Sequence, residues 1–408
     1  MYLVYTFLLY AGLLLALPWY ALKFRRYAPT IKDRLGFLQI PTLQRSVWVH
    51  AVSVGEVKSV RRLTERLREL YPGQPLVLST ITPTGQELAR ATEGPADHIF
   101  FFPLDLPGAI RRTLDRVKPE LVLIAETEIW PNFLRECRRR NIRVVLVNGR
   151  ISDRSFPRYL MGRRWLKHVL DDFALLGMQT ETDRERIESI GADGRKVTVI
   201  GNLKYDAVEV ERALSPDLSE MIARLPKLWI AASTMPGEEE QALDAFAELR
   251  KRHADLTLLM APRHPERFDI VERIIRSRGF RCVRRTRLED NVDVLLLDSV
   301  GELASTLRHA GVVFVGGSLV PTGGHNILEP AAFAKPIVFG PHMENFREIR
   351  DAFLEAHAAS EVHNAAELAD VVDRLLTDTQ FAAELGANAR RVVEQNTGAT
   401  ERVLAQLQ

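Results

Sequence analysis

The chain has little cysteine and no clear metal-binding pattern. Only two of its 408 residues are cysteines, and Cys137 and Cys282 lie far apart in the sequence. Two distant cysteines cannot build a disulfide framework or a cysteine-rich zinc site, and they fit a reducing compartment. The histidines show no HExxH-like pairing, so the sequence gives weak support for a dedicated metal site.

An excess of charge of one sign is also missing. The chain has 55 Lys and Arg against 53 Asp and Glu, a formal net charge of +2, which gives no overall signal for a polyanionic partner. Arginines do cluster within 61–68, but they alternate with Leu63 and Leu67. That alternation is typical of a solvated helix face, so we expect no nucleic-acid partner.

Charged residues are absent altogether from residues 1–22. About 20 apolar residues suffice to cross a bilayer, so this stretch is predicted to be a transmembrane helix or another membrane anchor. A basic juxtamembrane segment follows at 23–40, and it keeps the rest of the chain in the cytoplasm. Its basic residues include Arg25, Arg26, Lys32 and Arg34. A helix lying in the membrane surface is the alternative, whereas a cleaved signal peptide is disfavoured because no basic region precedes the apolar run.

Beyond residue 40, short apolar runs alternate with amphipathic stretches, which predicts parallel sheets covered by helices on both faces. A chain of this length exceeds one ordinary hydrophobic core. We therefore expect an α/β protein with two doubly wound, Rossmann-like domains: an N-terminal domain at 41–206, a linker at 207–226, and a C-terminal domain at 227–408 with closing helices. The predicted strands are Val47–Val52, Leu76–Ile81, Ile99–Phe102, Leu121–Ala125, Val144–Val147, Phe173–Met178, Val197–Ile200, Trp229–Ala232, Leu256–Met260, Val294–Leu297, Val312–Val315 and Ile337–Phe339.

Polar residues follow most of these predicted strands. Examples are Ser53–Glu56, Glu126–Glu128, Asn148–Arg150, Pro262–Pro265 and Asp298–Glu302. Doubly wound folds bind their ligands at the carboxyl ends of the strands. So many polar groups at those ends favour a binding site over ordinary loop chemistry.

The segment Gly316–Phe346 follows the predicted strand Val312–Val315 and contains a glycine-rich loop, a short helix and the predicted strand Ile337–Phe339. Glycine pairs at 316–317 and 323–324 precede a short helix that carries Glu329. Glycine lets the backbone approach a phosphate closely, and a helix N-terminus supplies unpaired N–H groups. The segment is therefore a candidate nucleotide site. The alternative is a tight turn with Asn326 as a helix cap, because short glycine motifs also occur without a ligand.

Seven sequence blocks occur in one order: HAVSVGEV, ITPTGQELA, ETEIWPN, NGRIS, GNLKYD, APRHPERF and GGSLVPTGGHNILEP. Together they resemble the 3-deoxy-D-manno-oct-2-ulosonic acid (Kdo) transferases, GT-B glycosyltransferases that act in lipopolysaccharide core biosynthesis. The resemblance covers nearly the whole chain. It implies two Rossmann-like domains that face a cleft and follow an N-terminal membrane helix. It also implies a place in the cell inner membrane, with the catalytic domains on the cytoplasmic side.

The resemblance further implies the reaction and its catalytic residues. Kdo passes from CMP-Kdo to a hydroxyl group of a lipid A precursor of the lipid IVA type, with inversion at the anomeric carbon and release of CMP. Glu56 matches the family's general base, and the helix dipole at its position predicts that it is held ionised. Glu126 and Lys204 match residues that aid the transition state. Glu128 competes for the role of Glu126, and a structural ion pair between Glu126 and Lys204 is the alternative to catalysis.

The nucleotide contacts implied by the resemblance all lie in the second domain. They are Pro262, Arg263, Val300, Gly301, Glu302, Asn326, Ile327, Leu328 and Glu329. The forked guanidinium of Arg263 suits a phosphate. A CMP sugar carries one phosphate, so we expect neither a bridging metal ion nor any other cofactor. The basic residues after residue 22 are candidates for contacts with lipid A phosphates, with topology signalling as the alternative.

Two other functions stay open on the sequence alone. Another membrane-associated GT-B transferase would use a different nucleotide sugar, such as a UDP-N-acetylhexosamine. A non-catalytic protein of the same fold would bind the lipid A precursor without transferring a sugar to it.

Overall fold

The structure is a computed structural model that describes residues 2–22, 30–91, 96–208 and 214–408, with the backbone alone for residues 17–22. The chain divides into two compact units. Unit 1 contains the described residues up to Ala207 together with Thr397–Gln408, and unit 2 is Val208–Asn396. Each unit has one parallel sheet flanked by helices, which confirms the predicted pair of α/β domains.

Unit 1 is built on a seven-stranded parallel sheet with the order β3-β2-β1-β4-β5-β6-β7. Its strands are β1 (Ser46–His50), β2 (Leu76–Thr80), β3 (His98–Phe101), β4 (Pro119–Ala125), β5 (Arg143–Gly149), β6 (Leu175–Met178) and β7 (Val197–Val199). Its helices are α1 (Tyr2–Leu22), α2 (Val54–Ser59), α3 (Arg61–Leu70), α4 (Pro83–Ala91), α5 (Pro107–Val117), α6 (Pro131–Arg139), α7 (Phe156–Met161), α8 (Arg163–Leu170), α9 (Glu181–Ile190) and α18 (Ala399–Leu407). Residues 30–34 are also helical, and Gly194–Lys196 form a short 3-10 helix.

Hydrophobic cores on both faces explain why the strands of unit 1 are apolar along their whole length. On β1, Trp48 packs into a core with Phe100 and Phe133, whereas Val47 and Val49 belong to the core on the opposite face. Successive side chains of a strand point to opposite faces of its sheet. Because helices cover both faces, both sets of positions are apolar, and polar residues are confined to the strand ends.

Unit 2 repeats this plan with a second seven-stranded parallel sheet, in the order β10-β11-β9-β8-β12-β13-β14. Its strands are β8 (Lys227–Thr234), β9 (Leu256–Pro262), β10 (Cys282–Arg284), β11 (Val294–Leu296), β12 (Val312–Val315), β13 (Ile337–Phe339) and β14 (Ser360–Glu361). Its helices are α10 (Pro216–Ala223), α11 (Glu238–Arg252), α12 (Phe268–Ser277), α13 (Leu303–Thr306), α14 (Leu328–Ala332), α15 (Arg347–Glu355), α16 (Ala365–Thr377) and α17 (Thr379–Asn396). Three 3-10 helices complete it, Pro265–Arg267, Leu307–His309 and Glu344–Phe346.

The end of the chain corrects the predicted domain boundary. The sequence placed 227–408 in one domain, but α18 packs on α3 of unit 1 and the chain leaves unit 2 at Thr397. Gly398 causes the break between α17 and α18, because its φ of 91° lies in the left-handed region that glycine adopts without strain. Part of the predicted linker, 207–226, also has structure, since Pro216–Ala223 form α10 of unit 2.

The first two turns of α1 pack against unit 1 through polar contacts. The Tyr2 hydroxyl donates to Asp172 Oδ2 at 2.6 Å, and the Thr6 hydroxyl donates to Asn132 Oδ1 at 2.9 Å. The exposed apolar side chains of this helix are Leu3, Val4, Phe7, Leu8, Leu14 and Leu15. Among the residues that the structure describes, no helix has both the length and the apolar character needed to cross a bilayer.

The basic segment after α1 is only partly described. Arg25 and Arg26 lie outside the described residues, and Lys32 is exposed. The Arg34 guanidinium instead donates to the carbonyl oxygen of Ile81 at 2.6 Å and lies 5.3 Å from the ring centre of Phe101. Arg34 therefore holds the loop after β2, and its contact with lipid A phosphates stays a prediction.

Asp206 attaches α18 to unit 1, and its removal should destabilise the protein. Its two carboxylate oxygens accept from the backbone N–H groups of Gly398 at 2.7 Å and Thr400 at 2.6 Å. We expect Asp206→Ala to lower the free energy of unfolding by about 1–2 kcal/mol, the usual cost of losing a helix cap, measured by urea titration. Glu401→Ala is the control, because this exposed partner of Arg66 should cost less than about 0.5 kcal/mol. Equal losses in both variants would contradict the capping role.

Candidate active site

Glu56 lies at the start of α2, in the loop that follows β1. Only 8% of the residue is exposed. Its Oε2 accepts from the backbone N–H of Val52 at 2.8 Å, and its Oε1 accepts from the Ser53 hydroxyl at 3.0 Å. The carboxylate thus folds back over the start of its own helix. The neighbouring loop after β2 supports this turn, since the Thr82 N–H donates to the Val52 carbonyl at 3.0 Å.

The protonation of Glu56 differs from the prediction. Burial first, together with the nearby charges of Glu126 and Glu128, raises the pKa of this carboxyl from 4.5 to about 7. The hydrogen bonds from Val52 and Ser53 oppose this rise without cancelling it. The helix dipole alone predicted a fully ionised group, which is wrong because desolvation and like charges outweigh it. A carboxyl group with this pKa can take up and release a proton near neutral pH.

Glu126 and Glu128 flank a short loop after β4 that is tied to the next loop along the sheet. Thr127 makes the tie, because its hydroxyl donates to the carbonyl oxygen of Arg150 and accepts from the Arg150 N–H at 2.9 Å. Glu126 has a φ of 56°, a left-handed backbone conformation that residues other than glycine seldom adopt. Its N–H donates to the carbonyl oxygen of Val147. Burial and the charge of Glu126 raise the pKa of Glu128 to about 7. Sequence reasoning named both glutamates but missed the positioning role of Thr127.

Lys204 lies in a turn after β7 that is fixed by three amide side chains. Asn148 Oδ1 accepts from the Leu203 N–H at 2.9 Å, and Gln179 Oε1 accepts from Asn202 Nδ2 at 2.8 Å. Asn202 Oδ1 in turn accepts from the N–H of Lys204 at 3.0 Å. These amides come from the carboxyl ends of β5, β6 and β7. The predicted site residues of unit 1 therefore all follow the carboxyl ends of strands of its parallel sheet. Gln179 carried no signal in the sequence, because a single glutamine after a strand is ordinary loop composition.

In unit 2, Pro262 is the last residue of β9 and Arg263 follows it. Pro262 is buried at the end of the strand, and the Arg263 N–H donates to the Thr234 carbonyl at the end of β8 at 3.0 Å. The Arg263 side chain is exposed and makes no ion pair or hydrogen bond with another described residue. It is therefore a guanidinium that can bind an anion bidentately.

Val300, Gly301 and Glu302 occupy the loop after β11 with different exposures. Val300 is 81% exposed, and Gly301 has a φ of 94°. The Glu302 carboxylate is taken up inside the unit by Arg285, whose Nε and Nη2 donate at 2.9 and 3.0 Å, and by the hydroxyls of Ser215 and Ser299. Partial burial would raise the pKa of Glu302, but these hydrogen bonds lower it. A contact of this loop with a nucleotide would therefore come from its backbone.

The same four residues, Ser-Val-Gly-Glu, thus occur at 53–56 and at 299–302 with opposite chemistry. In both copies the serine hydroxyl donates to the glutamate, at 3.0 Å in the first and 2.5 Å in the second. The pKa of Glu56 is raised by burial and neighbouring carboxylates, whereas that of Glu302 is lowered by Arg285. Residues distant in sequence therefore decide whether the pKa of this glutamate is raised or lowered.

The segment 326–329 follows the glycine-rich loop and starts α14. Ile327 and Leu328 are fully buried in unit 2, so only their backbone is available to a ligand. Asn326 Oδ1 accepts from the Leu328 N–H at 3.1 Å, and its Nδ2 donates to Glu329 Oε1 at 3.1 Å. The N-cap of α14 is Ile327, so Asn326 precedes the cap and does not occupy it as the alternative considered above required. Asn326 and Glu329 are partly exposed, so their polar groups are the candidates for contact with a nucleotide.

The glycine pair at 316–317 does not leave an open phosphate cradle. The backbone N–H groups of residues 317–319 donate to the carboxylate of Glu238, which lies in the first turn of α11. The sequence does indicate a polar residue at a strand-to-helix turn here, because Pro236-Gly237-Glu238 follows a strand and opens a helix. Within the described residues, no group of three His, Cys, Asp or Glu side chains is placed to hold a metal ion.

Comparison with known proteins gives the family of the chain. A family model for 3-deoxy-D-manno-octulosonic-acid transferase (kdotransferase) matches residues 29–207, and a model for glycosyl transferases group 1 matches 239–392. UDP-GlcNAc 2-epimerase from Neisseria meningitidis shares the fold with a TM-score of 0.61, at 12% identity over 89% of this chain and 99% of that chain.

Two transferases are similar to the chain over most of their length. The 3-deoxy-D-manno-octulosonic acid transferase of Haemophilus influenzae is 36% identical over 393 residues, which cover 94% of this chain and 92% of that protein. The Bordetella pertussis transferase of the same name is 32% identical, over 94% of this chain and 91% of that protein. As the seven sequence blocks predicted, the chain belongs to the 3-deoxy-D-manno-octulosonic acid transferase family.

Proposed function

We propose that the chain is an inverting glycosyltransferase of lipopolysaccharide core biosynthesis. It transfers Kdo from CMP-Kdo to a hydroxyl group of a lipid A precursor of the lipid IVA type. Family membership supports the reaction and the substrate class. The observation that carries the assignment is Glu56, a buried carboxyl group with a pKa of about 7 at the carboxyl end of a central strand. A general base works best when its pKa lies near the working pH.

In the proposed step, the Glu56 carboxylate takes the proton of the acceptor hydroxyl. The hydroxyl oxygen forms a bond to the anomeric carbon of Kdo while the bond from that carbon to the phosphate oxygen breaks. CMP leaves with the bonding electrons, so the products are the glycosylated lipid, CMP and protonated Glu56. The hydrogen bonds from Val52 and Ser53 keep the carboxylate oriented during this exchange.

Glu126 and Lys204 are proposed as aids to the transition state. Positive charge develops on the sugar ring and negative charge on the departing phosphate, so a carboxylate and an ammonium group can each stabilise one of them. Their positions support these roles, because both lie in loops after strands of the sheet that carries Glu56. Tied loops hold both groups, through Thr127 in one case and through Asn148, Gln179 and Asn202 in the other.

The donor contacts are proposed for unit 2. Arg263 offers an exposed guanidinium for the single phosphate, Val300–Glu302 offer backbone groups, and Asn326 and Glu329 offer polar side chains for the nucleoside. Ile327, Leu328 and Pro262 support these groups from buried positions. No metal ion is required in this proposal, because the donor has one phosphate to be neutralised.

We also propose that α1 attaches the protein to the cytoplasmic side of the inner membrane. The exposed apolar side chains of this helix, such as Leu3, Phe7 and Leu15, support a bilayer contact. Tyr2 and Thr6 meanwhile bond to unit 1, so a helix lying on the membrane surface agrees best with the described contacts. Such an attachment would hold the enzyme beside an acceptor that remains in the bilayer.

Transfer in vitro tests the function directly. Purified protein, CMP-Kdo and a lipid A precursor should give a product heavier by one or more Kdo residues in mass spectrometry, and the size of the shift counts the sugars. Glu56→Gln should lower the rate by at least about a hundredfold, since a positioned base contributes about 10²–10⁴. Unchanged rates in Glu56→Gln would overturn the base assignment. Transfer from a UDP-sugar instead of CMP-Kdo would support the alternative transferase, and binding of the lipid without transfer would support the non-catalytic alternative.

The pH dependence of transfer should report the carboxylates around Glu56. Because the base must be deprotonated, we expect kcat/KM to rise with pH through an apparent pKa of about 7. Glu126→Gln removes a negative charge that raises the pKa of Glu56, so it should move this acid limb to lower pH as well as lower the maximal rate. Glu120→Gln is the control, because this exposed carboxyl lies at the opposite end of β4. An acid limb that stays in place in Glu126→Gln would contradict the coupling.

Stability offers a test of Glu56 that does not depend on activity. Its pKa is higher in the folded protein than the unfolded value of 4.5, so the folded state binds the proton more tightly. Folding stability from this group is therefore lost as the pH rises from about 4.5 to about 7, by up to about 3 kcal/mol. Glu56→Gln should stabilise the protein relative to wild type more at pH 8 than at pH 5, measured by urea titration. Glu87→Gln, which changes an exposed carboxyl on α4, should show no such difference.

A further inference from the structure

Glu238 binds four backbone N–H groups with one buried carboxylate. The residue lies in the first turn of α11 and is fully buried. Its Oε2 accepts from Met235 at 2.9 Å and Gly317 at 2.6 Å, and its Oε1 accepts from Ser318 at 2.9 Å and Leu319 at 2.8 Å. Three of these donors come from the loop after β12, so the carboxylate joins two loops of unit 2. The helix dipole of α11 also favours an anion at this position.

The glycine pair of this loop is explained by the approach of the carboxylate. A Cβ atom on Gly316 would lie 2.9 Å from Glu238 Oε2 and 2.7 Å from the carbonyl oxygen of Ser233. Gly317 has a φ of 70°, and a Cβ atom there would lie 2.8 Å from the His325 ring. Both glycines are thus required by groups of the protein itself, with no need for a ligand at the loop.

The loop that Glu238 holds leads directly into the proposed nucleotide contacts. The Gly317 carbonyl accepts from the Gly324 N–H at 2.7 Å and from the Thr322 hydroxyl at 2.9 Å, which closes residues 317–324 into a compact loop. Asn326 follows two residues later. The anchor at Gly317 therefore fixes where Asn326 and Glu329 can lie relative to the sheet.

We propose that Glu238 is an internal anion that fills the amide cradle of residues 317–319, and that it acts as a positioning residue for the donor contacts at 326–329. A donor phosphate brought to the same amides would have to displace a buried carboxylate or lie beside it, where like charges repel strongly. We therefore expect Arg263, whose side chain is exposed, to bind the donor phosphate. This inference rests on the proposed function only for the identity of the donor.

Glu239 provides a matched control for a substitution of Glu238. It is the next residue of the same helix and is equally buried. Its Oε1 accepts from Arg267 Nε at 3.0 Å, and it makes no hydrogen bond with the loop after β12 in the described part of the chain. A change at Glu239 therefore disturbs a buried carboxylate of unit 2 without releasing the amide cradle.

Calorimetric titration with CMP and thermal unfolding of the full chain test the proposal. In Glu238→Gln an NH2 group replaces one carboxylate oxygen, so the two N–H groups that donated to that oxygen lose their acceptor. The loop that leads to Asn326 is then held less firmly, and we expect CMP affinity to fall about tenfold or more. Glu239→Gln should keep CMP affinity within about twofold of wild type. This should hold even if the thermal midpoint of Glu239→Gln falls as far as that of Glu238→Gln. Equal CMP affinity in Glu238→Gln and wild type would overturn the positioning role. Should Glu238→Gln fail to fold, Glu238→Asp takes its place, because it keeps the charge but shortens the reach.

Formate rescue tests the cradle without reference to the donor. Glu238→Ala leaves the four N–H groups without an acceptor, and formate is a carboxylate small enough to replace the lost group. We expect formate to raise the thermal midpoint of Glu238→Ala, whereas chloride at the same ionic strength should not. Absence of this rescue would count against the cradle. If wild-type protein does not bind CMP, the proposed function fails, and the formate experiment still decides the role of Glu238.

Discussion

Burial of each parallel sheet on both faces is the constraint on which the rest of the structure depends. Trp48 faces one core of unit 1 and Val49 the other, and the polar residues of β1, Ser46 and His50, lie at its two ends. Polar chemistry can begin only where a strand ends. Glu56, Glu126 and Lys204 accordingly belong to loops after three strands of one sheet, and hydrogen bonds between neighbouring loops fix their geometry.

Burial also affects the chemistry of each carboxylate, and three glutamates at helix starts, two of them buried and one partly buried, differ in the groups that surround them. Glu56 keeps two hydrogen bonds but lies near other carboxylates, so its pKa rises. Glu302 receives Arg285, and its pKa falls. Glu238 takes four backbone N–H groups and needs no counter-ion. The proposed base, a counter-ion and the proposed loop anchor thus involve one residue type in similar local surroundings.

Much of the fold could be predicted from the sequence, because apolar runs of four to eight residues are a local signal of buried strands. The edge strands β10 and β14 were not predicted, because they have only three and two residues and form no such apolar run. The helical stretch after β1 is divided at Val60, whose ψ of −3° ends α2 before α3 begins, and no local apolar pattern marks that break. The place of α18 in unit 1 depends on Asp206, a contact 192 residues away that no local pattern reveals.

The candidate site shows the same division between local and distant information. A glycine pair before a helix indicates that an anion comes close to the backbone, and that part of the prediction was sound. The pattern does not distinguish an anion of a ligand from a carboxylate of the protein itself. At Gly316 and Gly317 the nearest carboxylate is Glu238, 79 residues from Gly317 in sequence, and its side chain satisfies the N–H groups that a phosphate would need. A glycine-rich loop therefore indicates a nucleotide only after the buried carboxylates of its own domain have been accounted for.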